Sequence, residues 1–125
     1  MLAVLKHHEI YLGIVSNKHG KYLRREVTHL GWDSYFGATV GAHDAPRDKP
    51  ATDAVDLALA GSPVPSGQSV WFVGDTEIDM ECAINAGCIP VLVHKTPAES
   101  KAFQAFPPAL HVINCLALSN AVQGL

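Results

Sequence analysis

The sequence lacks both a run of basic residues and an apolar stretch long enough to cross a membrane. Nine Lys and Arg stand against 12 Asp and Glu, with a formal net charge of −3 at pH 7. Phosphate backbones are bound by clustered basic side chains, and a membrane helix needs about 20 apolar residues in succession. We therefore expect no nucleic-acid partner, no membrane partner and a cytoplasmic location.

Cysteine is scarce, and its spacing excludes two classes of protein. Cys82, Cys88 and Cys115 are three in number and form no C-x-x-C pair. An odd count without paired spacing argues against a disulfide framework and against a thiolate zinc site. The seven histidines are scattered without the spacing of metal ligands. We expect the cysteines to be small core residues.

Several motifs that would announce a chemistry are absent. The sequence has no G-x-x-x-x-G-K-[ST] loop, no G-x-G-x-x-G, no G-x-S-x-G and no H-E-x-x-H. Ser16 and His19 are three residues apart at an expected helix start, and without an orienting acid this is not triad geometry. Known nucleotide loops, serine-hydrolase elbows and zinc proteases are therefore disfavoured.

The residues that are present indicate one globular α/β domain. The chain has 125 residues, of which 48% are hydrophobic and 17% charged. This length suits a single packed domain over residues 1–125. Apolar runs alternate with stretches of helical period, and turn residues separate them. That alternation is typical of a parallel sheet with helices between its strands.

The elements can be placed from these patterns. Strands are predicted at 9–17, 38–42, 69–74 and 89–94. The spacing of Leu23, Val27 and Leu30 predicts a helix that ends at Gly31. Further helices are predicted from Pro50 through 60 and over 77–87.

The two ends of the chain carry less regular signals. Residues 2–8 resemble the last turns of a helix that starts before Met1. Residues 96–99, TPAE, match a capping box that starts a short helix. A last short strand and a helix beginning near Asn114 follow.

Three polar clusters fall at predicted strand ends, where open parallel sheets bind their ligands. They are 16–18, 48–50 and 74–76. A phosphoryl group needs donors and cations fixed beforehand. Ser16 can supply a hydroxyl beside the amides of an expected helix N-terminus, and Lys49 a point charge. Asp75 can hold Mg²⁺, which prefers oxygen ligands.

Each of these residues also has a simpler interpretation. Ser16 and Asp75 are common helix caps, and Asp79 is a first-turn acid that the helix dipole favours. Lys49 taken alone is typical of a solvated surface. The order of the three clusters and their placement at strand ends favour a site.

The quoted stretches resemble one known superfamily. "IVSNK" (14–18), "RDKP" (47–50) and "FVGDTEIDMECAINAG" (72–87) are similar to the second, third and fourth motifs of the haloacid dehalogenase (HAD) superfamily. "LGWDSYFG" and "AGCIPVLV" resemble its phosphoglycolate-phosphatase-like branch. The resemblance runs from about residue 2 to about residue 94. It implies a Rossmann-like three-layer sandwich with a mostly parallel sheet.

The resemblance also implies an activity and roles for residues. The activity is Mg²⁺-dependent hydrolysis of a small-molecule phosphate ester. Ser16 would bind the phosphate with Asn17 beside it, and Lys49 would steady the nucleophile and the transferred phosphoryl group. Asp75 would ligate Mg²⁺, and Asp79 would assist in or near the metal shell.

One motif of the superfamily is missing from the sequence. Its nucleophile is an Asp in a D-x-D-x-[TV] motif on the first strand, and no two of the seven aspartates here are two residues apart. The chain resembles the C-terminal part of such an enzyme, without the first strand and the cap domain. We expect this chain alone to be inactive.

The missing strand has a structural consequence. Strands 10–16 and 69–74 would flank it, so they must pair directly, accept a complementing N-terminal segment, or self-associate through exposed apolar edges. Marginal solubility is expected.

Two other interpretations stay open. The chain could be a non-catalytic module that keeps the pocket for binding a phosphate or a partner. It could also be a receiver-like or flavodoxin-like domain, although the order Ser, Lys, Asp differs from that of receivers.

Overall fold

Strands and helices alternate along the chain in the computed structural model, which describes residues 5, 10–94 and 101–123. The strands are β1 (Gly13–His19), β2 (Ala38–Ala42), β3 (Trp71–Gly74), β4 (Ile89–Val93) and β5 (Leu110–Val112). The helices are α1 (Gly20–His29), α2 (Asp53–Leu59), α3 (Glu77–Asn85), α4 (Lys101–Ala105) and α5 (Cys115–Gln123), with a 3₁₀ turn at Asp33–Tyr35.

The strands form two parallel sheets. β1 pairs with β2, and β3, β4 and β5 pair in that order. Within the described residues β1 and β3 are not hydrogen-bonded neighbours, so direct pairing, which was one of the expected alternatives, does not occur. Helix α2 contacts both sheets, because its Ala58 packs with the first sheet and its Val55 packs with the second. The helix therefore bridges the two sheets and holds them on either side of a gap.

Helices cover the second sheet on both faces. Trp71 and Phe72 are neighbours in β3, so their side chains point to opposite faces. Phe72 packs with Val55 and Cys82 from α2 and α3, whereas Trp71 packs in a cluster with Leu118 from α5. The α/β Rossmann-like, three-layer architecture predicted from the sequence is confirmed.

Two boundaries near the expected site were wrong. β1 begins at Gly13 rather than residue 9 and continues to His19, and the His19 Nδ1 accepts from the Lys21 amide (3.3 Å) to cap α1. The amides after Ser16 therefore belong to the strand and not to a helix N-terminus.

The helix predicted from Pro50 starts only at Asp53. The amide of Ala51 donates to the Asp48 carbonyl (3.0 Å) and closes a turn across the cis Lys49–Pro50 bond, so Pro50 lies in a loop.

Other expectations are confirmed. Residues 38–42 form β2, and Gly31 and Gly87 follow helices with φ of +72°, a conformation that favours glycine. Asn114 caps α5, since its side-chain oxygen accepts from the Ala117 amide (2.8 Å).

The cysteine expectation holds in part. Cys82 and Cys88 are buried, but Cys115 is exposed, because it starts α5 at the surface. Residues 96–99 lie outside the described residues, and of 2–8 only Leu5, which is helical and buried, lies within them. No helix in the described ranges has the length and hydropathy to span a membrane.

The start of α1 and the end of β2 approach so closely that only glycine fits. A Cβ on Gly41 would lie 2.4 Å from the Gly20 Cα and 2.6 Å from the Lys18 carbonyl oxygen. We expect Gly41→Ala to lower the free energy of unfolding by about 1–3 kcal/mol, as overpacking does in other cores. Gly61→Ala is the control, because its Cβ would meet only the Tyr11 hydroxyl, at 3.8 Å. Equal urea midpoints for the two variants would contradict the close approach.

Candidate functional site

The loop between β2 and α2 is fastened to α3, and this fastening places Lys49. The Pro50 carbonyl accepts from the Asn85 side-chain amide (3.3 Å), and the Ala51 carbonyl accepts from the Cys82 thiol (3.5 Å). Burial raises the pKa of Cys82 to about 11, so the thiol keeps the proton that it donates. Pro50 and Ala51, the two residues that follow Lys49, are thus held against α3.

Lys49 and Asp79 form a buried ion pair at this edge. The Lys49 Nζ lies 2.6 Å from the Asp79 Oδ1, and the two side chains are only 11% and 9% exposed. Thirty residues separate them in the sequence. The pair connects the carboxyl end of the first sheet to the carboxyl end of the second.

The second oxygen of Asp79 organises the turn between β3 and α3. Oδ2 accepts from the Asp75 amide (3.2 Å), the Thr76 amide (3.3 Å) and the Thr76 hydroxyl (3.0 Å). The Thr76 Oγ1 in turn accepts from the Asp79 amide (3.3 Å), which completes a capping box. Gly74 is needed here, since a Cβ on it would lie 2.3 Å from the Asp79 Cβ.

The surroundings of Asp79 favour its ionised form. Burial by itself would raise the pKa of this carboxyl, but the hydrogen bond and charge of Lys49, with the Thr76 hydroxyl and the Asp75 amide, outweigh it. The pKa of Asp79 is therefore held below its ordinary value. The ion pair is intact at neutral pH.

Asp75 is the carboxylate that stays available. It is exposed at the carboxyl end of β3, and its side chain makes no hydrogen bond or ion pair within the described ranges. Its amide is fixed by Asp79, so the side chain projects from a constrained backbone position.

Ser16 and Asn17 lie on β1, in the other sheet. The Ser16 Oγ accepts from the Lys18 amide (3.1 Å), and Asn17 is exposed. No hydrogen bond within the described residues joins either of them to Lys49, Asp75 or Asp79. Because β1 is parallel to β2, and the loop after β2 contacts the turn after β3, all three strand ends lie at one edge.

Two residues of the site were not assigned roles from the sequence. Thr76 caps α3 through Asp79, and the T-x-x-D spacing is the signal that could have revealed it. The Asp48 Oδ1 accepts from the His43 amide (3.0 Å) and shapes the loop before Lys49. No sequence pattern announces that second contact. The described part of the chain contains no group of three or more His, Cys, Asp or Glu arranged for a metal ion.

Comparison with known proteins identifies the family to which the chain belongs. The sequence pattern of the haloacid dehalogenase-like hydrolases matches residues 1–93. The chain belongs to this family. The candidate site residues Ser16, Lys49, Asp75 and Asp79 all lie inside the matched range.

Individual relatives place the chain in the phosphoglycolate-phosphatase-like branch. It is 28% identical over 113 residues to a phosphoglycolate phosphatase of Rhodobacter capsulatus, and the matched region covers 90% of this chain and 50% of that protein. It is 31% identical over 87 residues to the phosphoglycolate phosphatase of Escherichia coli K12, with 70% and 34% covered. A HAD-superfamily hydrolase structure from Ehrlichia chaffeensis superposes with a TM-score of 0.85 at 31% identity, covering 99% of this chain and 55% of that one.

The chain spans between about a third and a half of the length of the two curated relatives.

Proposed function

We propose that this HAD-like chain carries the phosphate and Mg²⁺ half of a phosphoric monoester hydrolase site. The observation that supports it most is the buried Lys49–Asp79 pair beside the free carboxylate of Asp75. A cation fixed at the carboxyl edge of a parallel sheet, next to an unengaged carboxylate, suits a phosphate bridged by a metal. The names of the relatives suggest 2-phosphoglycolate as the ester.

Lys49 supplies the positive charge in this proposal. An ammonium group has three N–H donors, and Asp79 Oδ1 takes one of them. The remaining donors can reach phosphate oxygens without breaking the pair. Asp79 thus acts as a positioning residue, which keeps the Lys49 side chain extended toward the edge.

Ser16 and Asn17 provide neutral donors from the other sheet. The Ser16 hydroxyl already accepts from the Lys18 amide, which leaves its own proton for a phosphate oxygen. Asn17 is exposed and can donate through its side-chain amide. These donors orient the phosphate while Lys49 balances its charge.

The residues fit Mg²⁺ with one protein carboxylate. Asp75 offers free oxygens, whereas both oxygens of Asp79 already accept hydrogen bonds. Mg²⁺ is commonly held by one or two carboxylates together with phosphate oxygens and waters. Asp75 would hold the ion, which would neutralise phosphate charge. The earlier prediction that Asp79 assists at the metal stays a prediction.

Mg²⁺ binding by the chain alone is expected to be weak. With Asp75 as the one carboxylate that this proposal assigns to the ion, we expect no saturation below the millimolar range in a calorimetric titration. Asp75→Asn should abolish the heat of Mg²⁺ binding. The control Asp53→Asn changes a carboxylate that is paired with Arg47, and it should leave that heat unchanged. Saturation at micromolar Mg²⁺ would show that further ligands contribute.

The chemical step lacks its nucleophile in residues 1–125. A phosphoenzyme route needs an Asp that attacks phosphorus, and the D-x-D motif that carries it in the superfamily is absent. We therefore propose that this chain by itself binds the ester without turning it over. The same absence favours a second function, that of a non-catalytic phosphate- or partner-binding module.

One ³¹P NMR experiment tests binding and turnover in the same sample. With 2-phosphoglycolate, Mg²⁺ and the 125-residue chain, we expect the ester signal to shift or broaden and no inorganic phosphate to accumulate. Asp75→Asn should reduce the shift. An unchanged ester signal would contradict the site. Inorganic phosphate that accumulates only with Asp75 present would contradict the proposed inactivity and the non-catalytic function.

A further inference from the structure

Three polar aromatic rings form a row where the first sheet ends, and we call His43, His19 and Tyr22 the ring row. The ring centroids of His43 and His19 are 5.9 Å apart, and those of His19 and Tyr22 are 5.7 Å apart. His19 is the last residue of β1, and His43 directly follows β2. All three residues are exposed at the carboxyl edge that also contains the candidate phosphate site.

The backbone beneath the two histidines is closely packed. Gly20 follows His19, and a Cβ on Gly41 would lie only 2.4 Å from the Gly20 Cα. The Asp44 amide donates to the Gly41 carbonyl (3.2 Å) and closes a turn that contains His43. The end of β1 and the turn after β2 are therefore held against each other.

His43 has an uncommon backbone conformation in this turn. Its φ of +69° is in the left-handed region, which non-glycine residues rarely adopt, and its amide donates to the Asp48 Oδ1 (3.0 Å). Such residues persist where their surroundings hold them, and they cluster at functional sites. The conformation thus fixes the base of the His43 side chain beside His19 before any ligand binds.

The ring of His19 has a hydrogen-bond donor to offer. Its Nδ1 accepts from the Lys21 amide (3.3 Å), so this nitrogen carries a lone pair. In the neutral imidazole the proton is then on Nε2, which is a donor. A metal ion would need a lone pair on Nε2, and the described residues contain no group of three ligands for one. The ring therefore suits an anion better than a metal ion.

The charge of the neighbouring sequence also favours an anion. Residues 16–25 contain four cationic side chains and no acidic one, although the chain has a formal net charge of −3. Lys21 lies in the first turn of α1, is exposed, and has no ion pair within the part of the chain that the structure describes. Its charge therefore remains for a ligand at the ring row.

Asp44 is the acidic residue near His19, and its charge is already balanced. Its Oδ2 accepts from the Arg24 Nη1 (2.6 Å) and from the Gly41 amide (2.8 Å). The hydrogen bond from Arg24 is the first cause that lowers the pKa of Asp44. This carboxylate holds the turn in place, and its pairing with Arg24 reduces its repulsion of an anion.

We propose that the ring row and Lys21 form a second anion site beside the phosphate site, and that the ligand is a phosphate ester with a second anionic group. Ser16 and His19 are three residues apart in β1, so their Cα atoms are at most about 10 Å apart. A chain of about four carbons between two phosphates spans such a distance. The inference rests on the proposed function, because the first anion occupies the site of Ser16 and Lys49, and it extends that function to esters longer than 2-phosphoglycolate.

The test compares two ligands that differ in one phosphate, butane-1,4-diol bisphosphate and butyl phosphate. Each is titrated into the full 125-residue chain by calorimetry at neutral pH with Mg²⁺ in excess. We expect the bisphosphate to bind at least about tenfold more tightly, because imidazole N–H groups and Lys21 donate to its second phosphate.

Three variants locate the second site. His43→Asn keeps a residue type that tolerates positive φ, and His19→Ser keeps a side-chain oxygen that caps α1. Each should reduce the preference for the bisphosphate to less than about threefold and leave the affinity for butyl phosphate unchanged. The control His29→Gln changes an exposed histidine at the end of α1, outside the ring row, and it should keep the full preference.

Three outcomes would overturn the proposal. Equal affinity for the two ligands would remove the second site and leave the phosphate site standing. No binding of either ligand would contradict the proposed function and the second site together. A full preference in both His43→Asn and His19→Ser would assign the effect to charges outside the ring row. Circular dichroism checks folding, and His43→Asn keeps the test valid even if His19→Ser loosens α1.

Discussion

Asp79→Ala is expected to lower the free energy of unfolding by about 3–5 kcal/mol, the usual cost of removing one partner of a buried ion pair. The Lys49 side chain is only 11% exposed, so its ammonium would lose its counter-charge without reaching water. The substitution would also free the Asp75 and Thr76 amides and the Thr76 hydroxyl, which all donate to Asp79. Urea denaturation of the variant and the parent chain measures the loss.

The chain offers a matched control for this variant. Asp53 forms an ion pair with Arg47 through two hydrogen bonds (2.7 and 3.2 Å), but the Arg47 side chain is 73% exposed. Surface pairs contribute little, so Asp53→Ala should leave the urea midpoint nearly unchanged. If both variants unfold at the same urea concentration as the parent chain, the Lys49–Asp79 pair does not stabilise this edge.

Lys49→Met is expected to reverse the pKa shift of Asp79. Burial is the largest influence on this carboxyl and would raise its pKa, and Lys49 is the main influence that lowers it below the ordinary value of 3.8. Without the ammonium, burial prevails and the pKa of Asp79 rises above that value. Carboxyl-carbon NMR titration of Asp79 in both proteins measures the change directly.

The reversed pKa shift of Asp79 gives the two proteins opposite pH dependences of the unfolding free energy. In the parent chain the folded pKa of Asp79 is lowered, so its contribution is present above the unfolded pKa and is lost as pH falls through the folded pKa. In Lys49→Met the folded pKa is raised, so the contribution is present below the unfolded pKa and is lost as pH rises through the folded pKa.

The difference in unfolding free energy between the two proteins should therefore widen as pH rises from about 3 to about 6. The lowered pKa of Asp44, caused first by the hydrogen bond from Arg24, is present in both proteins and cancels in this difference. A difference that does not change with pH would contradict the assigned role of Lys49.

Local patterns predicted the interior of the sheets well because they depend on neighbouring residues alone. Residues 38–42 and most of 89–94 form strands as expected, and Gly31 and Gly87 end helices because each needs a positive φ. The predicted start of β1 was wrong because a strand begins where its pairing partner begins. β2 starts at Ala38, which pairs with Gly13, so the apolar residues Tyr11 and Leu12 lie before the strand.

The role of the selected residues as a site stays a prediction, but their spatial proximity can be compared with the structure. The motifs selected Lys49, Asp75 and Asp79, and the structure brings these three together. Helix dipole and metal arguments were available for Asp79 in the sequence, but its contact with Lys49 is tertiary and leaves no local signal. The predicted helix start at Pro50 was wrong for the same reason, since the loop there is fixed by contacts with Cys82 and Asn85 of α3.

The gap between the sheets was anticipated only as one of several outcomes. The absent D-x-D motif predicted a missing strand, but whether the flanking strands would close up depended on what packs beneath them. The structure shows α2 spanning both sheets, with Ala58 under one and Val55 under the other. That packing is a tertiary contact, which the sequence pattern of the helix did not reveal.

The central claim, that the carboxyl edge recognises a phosphoryl group, is tested most directly by calorimetric titration of two ligands that differ only in that group. At neutral pH with Mg²⁺ in excess, 2-phosphoglycolate should bind to the 125-residue chain and glycolate should bind at least about a hundredfold more weakly, because Lys49 and an ion held by Asp75 would both attract the phosphate charge. Equal affinity for the two ligands, or no binding of 2-phosphoglycolate, would contradict the account.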